Sequence, residues 1–241
     1  MTSAAFNELD RQVLRGYGDA VAFATDFADG ADELLIEASL AASVLDMECA
    51  SADGATGARM ALYPPNNLRA VVWISAAKRV AMTYVAVVSS TASSSLANRL
   101  ADTGAALLLT SEALVPMVEG AFQLMETPPK RLLGDAALVA ALWQLREPSP
   151  VDANFPLFIL YTSGSTGKPK GIVHTHSGYQ LGLCATSNTV FVLQAGLDVF
   201  FVIATPGSIT GQSYMIAASL LCCVPSVRAP DRSNPKPHHK P

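Results

Sequence analysis

The stretch from Leu157 to Ile172 constrains the fold and the chemistry of this chain more than any other. Leu157 to Tyr161 is an apolar run rich in aromatic and branched side chains, which predicts a short buried strand. A loop of glycines, hydroxyl residues and lysines follows at once and ends at Gly171. The composition of this loop predicts that it binds phosphate.

Each residue type in the loop contributes to anion binding in a different way. Gly164 and Gly167 allow positive φ angles and bring backbone amide groups close to an anion. The hydroxyl residues add donors, and Lys168 and Lys170 add positive charge that suits a triphosphate. The predicted phosphate-binding residues are Thr162, Ser163, Gly164, Ser165, Thr166, Gly167 and Lys168.

Two other interpretations of the loop fit the residues less well. A Gly/Ser-rich surface turn is disfavoured by the preceding strand, by the two lysines around Pro169 and by the return to apolar residues at Ile172. A Walker-type loop is excluded because Gly164 is followed by Ser-Thr-Gly-Lys and then by Pro169, which breaks the spacing of that motif. The loop therefore predicts nucleotide phosphate binding outside the Walker class.

The segment from Tyr161 to Gly171, with the sequence YTSGSTGKPKG, resembles the signature of the AMP-forming acid–CoA ligases and related adenylate-forming enzymes. Together with the following residues up to His176, it is most similar to that of acetyl-CoA synthetases. The segment from Asp198 to Tyr214 is similar to a part of the family that lines the acyl and CoA end of the site. Residues 58–66 and 96–111 resemble the family more loosely.

The resemblance implies a two-step reaction. ATP and a carboxylate form an acyl-adenylate and pyrophosphate, and the CoA thiol then displaces AMP. By the same resemblance, residues 162–168 grip the β and γ phosphates with the help of Mg²⁺, and Ile209 and Thr210 lie near the acyl group and the CoA access. Acetate or propionate is the expected acid. No residue is assigned as catalytic or as a metal ligand.

The chain also departs from the family pattern. Thr205 and Ser208 stand where close relatives carry Asp and Trp, and the Arg-Gly-Gly-Lys run that holds CoA is absent between Ser111 and Leu132. We also expect the family's adenine and ribose motifs and its mobile C-terminal domain to be missing. The alternative function is therefore a non-catalytic remnant, which binds phosphate weakly or serves as an interaction module and exposes an apolar face.

The amino-acid composition excludes several other classes of protein. Half of the 241 residues are hydrophobic and 15% are charged, which excludes a generally disordered chain. A net charge of −4 gives no indication of a basic surface that would bind nucleic acid. The four cysteines lack disulfide or zinc spacing, and the N-terminus is unlike a secretory peptide. We expect small-molecule substrates and a cytoplasmic location, while protein partners stay unknown.

Two further patterns have competing interpretations. The uncharged stretch from Val199 to Val227 is long enough for a membrane span, but the polar and breaking residues near Pro206 favour a strand, a loop and a buried helix. His174 and His176 are two apart on a predicted strand and so share a face, yet no acidic or Cys partner stands at metal spacing. A structural role is favoured over a metal pair.

Strand and helix patterns alternate along the chain. They predict an α/β fold with helices layered on a partly parallel sheet, the incomplete N-terminal part of an adenylate-forming domain. Residues 1–224 are expected to form this partial AMP-binding (adenylation) domain and residues 225–241 a disordered tail. The first helix is predicted from Asn7 to Ala28, and later helices at 32–47, after Asn66 or Asn67, and at 96–102, 177–193 and 210–221. Strands are predicted at 59–63, 83–88, 105–109, 157–161, 172–176 and 200–204.

Overall fold

The structure is a computed structural model that describes residues 1–24, 28–49, 55–64, 67–139, 145–162 and 169–228. Six of the seven predicted phosphate-binding residues, Ser163 to Lys168, lie outside this described part, and so do residues 229–241 of the predicted tail. Thr162, Lys170, Ile209 and Thr210 lie inside it.

The described strands are β1 (Val21–Ala24), β2 (Ala28–Gly30), β3 (Arg59–Tyr63), β4 (Thr83–Ala86), β5 (Leu107–Thr110), β6 (Lys130–Leu133), β7 (Pro156–Thr162), β8 (Lys170–Thr175), β9 (Phe200–Val202) and β10 (Ser226–Arg228). The α-helices are α1 (Ala31–Glu48), α2 (Leu68–Arg79), α3 (Ser93–Thr103), α4 (Val115–Phe122), α5 (Gly134–Val139) and α6 (His176–Thr186). An N-terminal helical segment covers residues 4–17, and a C-terminal helical segment covers residues 209–222. Both contain stretches of π-helix, and a further π-helical turn covers Ser187–Phe191.

The strands form two sheets. The larger sheet has the order β6-β5-β3-β4-β7-β8, in which β8 is antiparallel to β7 and the other neighbours are parallel. The smaller sheet has the order β2-β1-β10-β9, in which only the β1–β2 pair is antiparallel. The predicted α/β fold with a partly parallel sheet is confirmed.

Alternate residues of the central strands face opposite sides of the larger sheet. Met60 and Leu62 of β3 pack into one apolar cluster with α1 and α2, whereas Ala61 and Tyr63 pack into another with α3 and α4. All four side chains are buried. Helices thus cover both faces, as parallel sheets require, because neither face of such a sheet tolerates water well.

Two ion pairs, one buried and one partly buried, attach the N-terminal helical segment to the end of α2. Lys78 Nζ lies 2.7 Å from Glu8 Oε2, and both side chains are only 1% exposed. Arg79 donates two hydrogen bonds to the Asp10 carboxylate, at 2.7 and 2.8 Å. These contacts fix the first helical residues on the layer that covers the larger sheet.

The predicted first helix is wrong over its second half. Helical backbone ends at Tyr17, just after Gly16 adopts a φ of 89°, and residues 21–24 form β1 instead. This strand pairs in parallel with β10 near the other end of the described chain. Long-range pairing of this kind overrides local helical propensity.

The predicted disordered tail also needs a correction at its start. Ser226 to Arg228 form β10, between β1 and β9, because their backbone groups find partners on both sides. The stretch from Val199 to Val227 contains β9, a loop, the C-terminal helical segment and part of β10, which confirms the prediction of a strand, a loop and a buried helix. In the part of the chain that the structure describes, no helix has the length and apolarity needed to cross a membrane.

Candidate functional site

The carboxyl ends of five parallel strands meet at one edge of the larger sheet. Thr162 is the last residue of β7 at this edge and is exposed. Lys170, the first residue of β8, pairs with Thr162 across the antiparallel register and is also exposed. Both flanks of residues 163–168 therefore lie at the carboxyl edge, where open α/β sheets bind their ligands.

Side chains of helix α3 contact the C-terminal end of β7 and fix its position. The Tyr161 hydroxyl donates a hydrogen bond to the Asp102 carboxylate, and the Arg99 guanidinium lies 5.5 Å from the centroid of the Tyr161 ring. Arg99 also donates to the Thr91 hydroxyl at 3.0 Å. Burial, followed by the contact with Asp102, raises the pKa of Tyr161 above its usual range, so the phenol stays protonated and acts as a donor.

The segment from Asp198 to Tyr214 also reaches the carboxyl edge of the larger sheet. Thr205, Pro206 and Gly207 line a cleft together with residues at the ends of β3 and β4. Gly207 packs so closely that a Cβ atom there would lie 2.7 Å from the backbone nitrogen of Val88. A Cβ atom on Gly211 would overlap the Thr205 carbonyl oxygen. Both positions require glycine for steric reasons.

Gln212 connects the loop of residues 205–207 with the larger sheet through two hydrogen bonds. Its side-chain oxygen accepts a hydrogen bond of 2.8 Å from the Tyr84 hydroxyl of β4, and its amide group donates to the Pro206 carbonyl. Both Gln212 and Tyr84 are buried. Burial raises the pKa of Tyr84 well above its usual range, which keeps the phenol neutral and able to donate.

Ser208 begins the C-terminal helical segment. Its hydroxyl accepts a hydrogen bond from the Gly211 amide at 3.2 Å, in the manner of a helix N-cap, and donates to the Thr205 carbonyl at 2.9 Å. Of the two residues that differ from the family pattern, Ser208 has a structural role through its side chain, whereas Thr205 takes part through its backbone carbonyl. Ile209 and Thr210 follow the cap and are exposed.

The structure joins the two predicted site segments indirectly. Among the described residues, no hydrogen bond, ion pair or ring contact connects Thr162 with Ile209 or Thr210. The link runs through the interior, because Phe158 of β7 stacks on Tyr84 with 5.5 Å between ring centroids, and Tyr84 bonds to Gln212. Sequence reasoning did not identify Tyr84 or Gln212 as important, although Gln212 carries the single amide side chain of residues 209–222 and was an available signal.

The two histidines have separate structural roles. His174 stacks on Phe158 with 4.4 Å between ring centroids, and the Nδ1 atom of His176 accepts a hydrogen bond from the Ala4 amide at 3.1 Å. The expectation that they share a strand face is wrong, because β8 ends at Thr175 and His176 begins α6. Burial, followed by the nearby Lys78 charge, lowers the pKa of His176 to about 4.

Over the described residues, no group of three or more His, Cys, Asp or Glu side chains is placed to hold a metal ion. All four cysteines are free and half-buried. Burial is the main cause that raises the thiol pKa of Cys49, Cys222 and Cys223, so these thiols are not activated nucleophiles.

Comparison with known proteins places this geometry in a family. Residues 10–240 match the family described as AMP-binding enzyme. The acetyl-coenzyme A synthetase of Mycobacterium bovis is 31% identical over 260 residues, which cover 90% of this chain and 38% of that protein. The acetyl-coenzyme A synthetase of Deinococcus radiodurans is 32% identical over 252 residues, which cover 91% of this chain and 38% of that protein.

A solved structure shows the same fold. The acyl-CoA synthetase of Brucella canis superposes with a TM-score of 0.79 and 21% sequence identity, over 94% of this chain and 42% of that chain. The chain belongs to the AMP-binding enzyme family, which confirms the resemblance seen in the sequence. It spans less than half the length of these relatives.

Proposed function

We propose that this chain supplies the phosphate-binding part of an AMP-forming acid–CoA ligase. Thr162 to Lys168 would contact the β and γ phosphates of ATP through backbone amides, hydroxyl groups and the lysine ammonium group. The observation that carries the proposal is the position of Thr162 and Lys170, which hold both ends of this glycine-rich segment at the carboxyl edge of the sheet. Family membership supports the same assignment.

The proposed chemistry depends on positioning and charge. A carboxylate is a weak nucleophile, so it must be held against the α-phosphorus while negative charge accumulates on the departing pyrophosphate. Amide donors and Lys168 would stabilise that charge, and fixed donors serve this purpose best because they need no reorganisation during the reaction. In the second step the CoA thiol attacks the acyl carbon, and AMP leaves.

Mg²⁺ would arrive with the nucleotide. In phosphate-transfer sites this ion is usually held by substrate phosphates with one or two protein ligands, and it neutralises phosphate charge. The described residues contain no cluster of metal-binding side chains, which fits an ion that is bound mainly through the triphosphate. The hydroxyl group of Thr162 is an exposed oxygen at the same edge.

The proposed acid is acetate or propionate, because the relatives described above are named acetyl-coenzyme A synthetases. Ile209 and Thr210 would lie near the acyl group and the CoA access. Their exposure at the start of the C-terminal helical segment leaves them free to contact a ligand.

We further propose that residues 1–224 with β10 form a partial adenylation domain, that residues 229–241 form a tail, and that the protein is cytoplasmic.

A second candidate is a non-catalytic module that retains phosphate binding and associates with another polypeptide. The observation in its favour is a concentration of exposed apolar side chains between residues 172 and 209. The chain also covers only 38% of its named relatives, so most of their length lies outside the matched region.

Pyrophosphate exchange separates the two candidates. The purified chain is incubated with ATP, Mg²⁺, labelled pyrophosphate and either acetate or propionate, and the label that enters ATP is measured. Acid-dependent exchange that disappears in Lys168→Ala supports the ligase. Absence of exchange together with retained ATP binding supports the non-catalytic module, and absence of both contradicts the phosphate-binding assignment itself.

A further inference from the structure

Arg99 of α3 carries a positive charge that no acidic side chain neutralises within the described residues. None of the ion pairs found there includes Arg99. Asp102, one turn further along the helix, accepts a hydrogen bond from the Tyr161 hydroxyl and none from Arg99. The Arg99 side chain is half-buried, and burial lowers its pKa, because removal of water disfavours the charged form. A cation in such a position calls for a counter-charge.

The guanidinium group of Arg99 also has unused hydrogen-bonding capacity. It offers five N–H donors in a planar fork. Among the described residues, one of these donors has an acceptor, since Nη1 donates to the Thr91 hydroxyl at 3.0 Å. The Nε atom is buried and has no hydrogen-bond partner there. Because buried donors in native structures are nearly always bonded, the Nε atom indicates an acceptor beyond the described residues.

Arg99 lies at the edge of the larger sheet where a ligand is expected. Its guanidinium group lies 5.5 Å from the centroid of the Tyr161 ring at the end of β7, and it bonds to Thr91 in the loop after β4. Strands β4 and β7 are parallel neighbours, so both contacts lie at the carboxyl edge. Open α/β sheets bind their ligands outside this edge.

The loop after β4 is itself fixed in place. The Tyr63 hydroxyl lies 2.9 Å from the carbonyl oxygens of both Ser89 and Thr91, so its single proton is shared between them. Ser89 also lines the cleft formed with residues 205–207. The contacts of Arg99 thus reach the end of β7 on one side and the loop of the cleft on the other. A donor that is held in this way binds an anion without losing much freedom.

We propose that Arg99 binds a phosphate group of a substrate and so extends the phosphate-binding site beyond residues 162–168. The inference rests on the proposed function, in which ATP and CoA are the substrates that carry phosphate. A guanidinium group suits this ligand, because its planar fork donates two parallel hydrogen bonds to phosphate oxygens. A phosphate would supply both the counter-charge and the acceptors that Arg99 lacks.

A purely structural role explains these observations less well. The bond to Thr91 and the contact with the Tyr161 ring would join the loop after β4 to β7, but neither supplies a full counter-charge. Arg79 shows what a structural arginine looks like in this fold, since it donates two hydrogen bonds to the Asp10 carboxylate.

Ligand binding to the full chain tests the assignment. Calorimetry measures the dissociation constants of MgATP, pyrophosphate and CoA for the wild type and for Arg99→Gln. We expect a loss of at least about tenfold for the ligand whose phosphate Arg99 contacts. A parallel loss for MgATP and pyrophosphate assigns the contact to ATP, whereas a loss for CoA alone assigns it to CoA. The matched control is Arg59→Gln, since Arg59 is an exposed arginine at the amino end of β3.

The dependence of binding on ionic strength separates direct contact from a structural role. Loss of a contact between Arg99 and phosphate should make the affinity less dependent on salt, whereas a displaced loop leaves this dependence unchanged. Arg99→Lys keeps the charge but not the fork, so it should keep the salt dependence of the wild type and lose less affinity than Arg99→Gln. Thermal unfolding checks that each variant is folded, and if Arg99→Gln is not, a lower affinity in folded Arg99→Lys is the expected result.

The proposal is contradicted by equal affinities for every ligand in the wild type and the Arg99 variants. An equal loss in Arg59→Gln, or an unchanged salt dependence in Arg99→Gln, contradicts it as well. Lys168→Ala distinguishes this failure from failure of the proposed function. Phosphate binding that is lost in Lys168→Ala but retained in Arg99→Gln removes only the assignment of Arg99, whereas a wild type that binds none of the three ligands contradicts both.

Discussion

The Tyr161 hydroxyl donates a hydrogen bond to the Asp102 carboxylate and so joins the end of β7 to helix α3. Tyr161 immediately precedes the predicted phosphate-binding residues, of which Thr162 is the first. Arg99 lies over the same ring from the same helix. The direction in which the chain leaves the sheet at Thr162 is thus set by a side-chain contact as well as by the strand itself.

Removal of this hydroxyl should weaken phosphate binding more than it weakens the fold. For Tyr161→Phe we expect a loss of about 0.5–1.5 kcal/mol in the free energy of unfolding, the usual net value of one hydrogen bond. We also expect a lower affinity for MgATP, measured by calorimetry under conditions where the variant is fully folded. The matched control is Tyr17→Phe, since Tyr17 also lies beside an arginine but its hydroxyl has no bonding partner among the described residues. Unchanged MgATP affinity in Tyr161→Phe would remove the positioning role.

The buried Glu8–Lys78 pair should be costly to break from one side. Lys78→Met leaves the Glu8 carboxylate buried without its counter-charge, and such a loss costs about 3–5 kcal/mol in the free energy of unfolding. The double variant Glu8→Gln with Lys78→Met should recover part of this loss, because the amide that replaces the carboxylate is neutral and still accepts from Gln180. Arg69→Met provides the exposed control, with an expected change of at most about 1 kcal/mol. Urea denaturation of the wild type and the three variants checks these values, and equal losses in Lys78→Met and Arg69→Met would contradict the assignment.

His176 should make stability depend on pH. Its pKa in the folded protein is about 4, against 6.5 in an unfolded chain, so the folded state binds its proton less readily. Above pH 6.5 both states are neutral and the full stability is present. As the pH falls towards 4, the unfolded state takes up the proton first and stability decreases, by about 3 kcal/mol if the whole shift is realised.

A substitution isolates this contribution of His176. An asparagine side chain at this position offers an oxygen to the Ala4 amide but does not titrate, whereas Lys78 and Glu8 stay in place beside it. His176→Asn should therefore show a smaller decrease of unfolding free energy between pH 7.5 and pH 4.5 than the wild type. Identical pH dependence in the two proteins would show that His176 does not contribute.

Two glycines near the cleft should tolerate no side chain. Gly207→Ala and Gly211→Ala each place a Cβ atom against backbone, and overpacking of this kind costs about 1–3 kcal/mol or more. Gly182→Ala is the control within α6, where nothing lies within 4 Å of the added atom, and it should be stabilising by about 0.5–1 kcal/mol. Thermal unfolding measures all three. A stable Gly211→Ala would mean that the loop from Thr205 packs differently.

Five of the six strands of the larger sheet were predictable from the sequence because their signals are local, whereas β6 was not predicted. Residues 59–63 were predicted as a strand and form β3, and the helix predicted at 96–102 lies within α3, which ends before Gly104, a residue in the left-handed conformation with a φ of 56°. The smaller sheet was missed in part because β1 depends on pairing with β10, far away along the chain. No local pattern in residues 21–24 carries that information.

The candidate functional site was predictable only in part. The composition of residues 162–168 predicts phosphate binding, and the structure describes Thr162 at the carboxyl edge while the rest of the assignment stays a prediction. The Tyr161–Asp102 and Tyr84–Gln212 contacts could not be read from the sequence, because each joins residues that are distant in the chain through tertiary packing.

Binding of MgATP tests the proposed function most directly. Calorimetry compares the wild type with the variant that combines Lys168→Ala and Gly164→Val, and with Lys130→Ala, which removes an exposed lysine at the opposite edge of the same sheet. We predict measurable binding in the wild type and in Lys130→Ala and a loss of at least tenfold in the double variant. Equal affinity in all three proteins would contradict the assignment of residues 162–168 to the nucleotide phosphates.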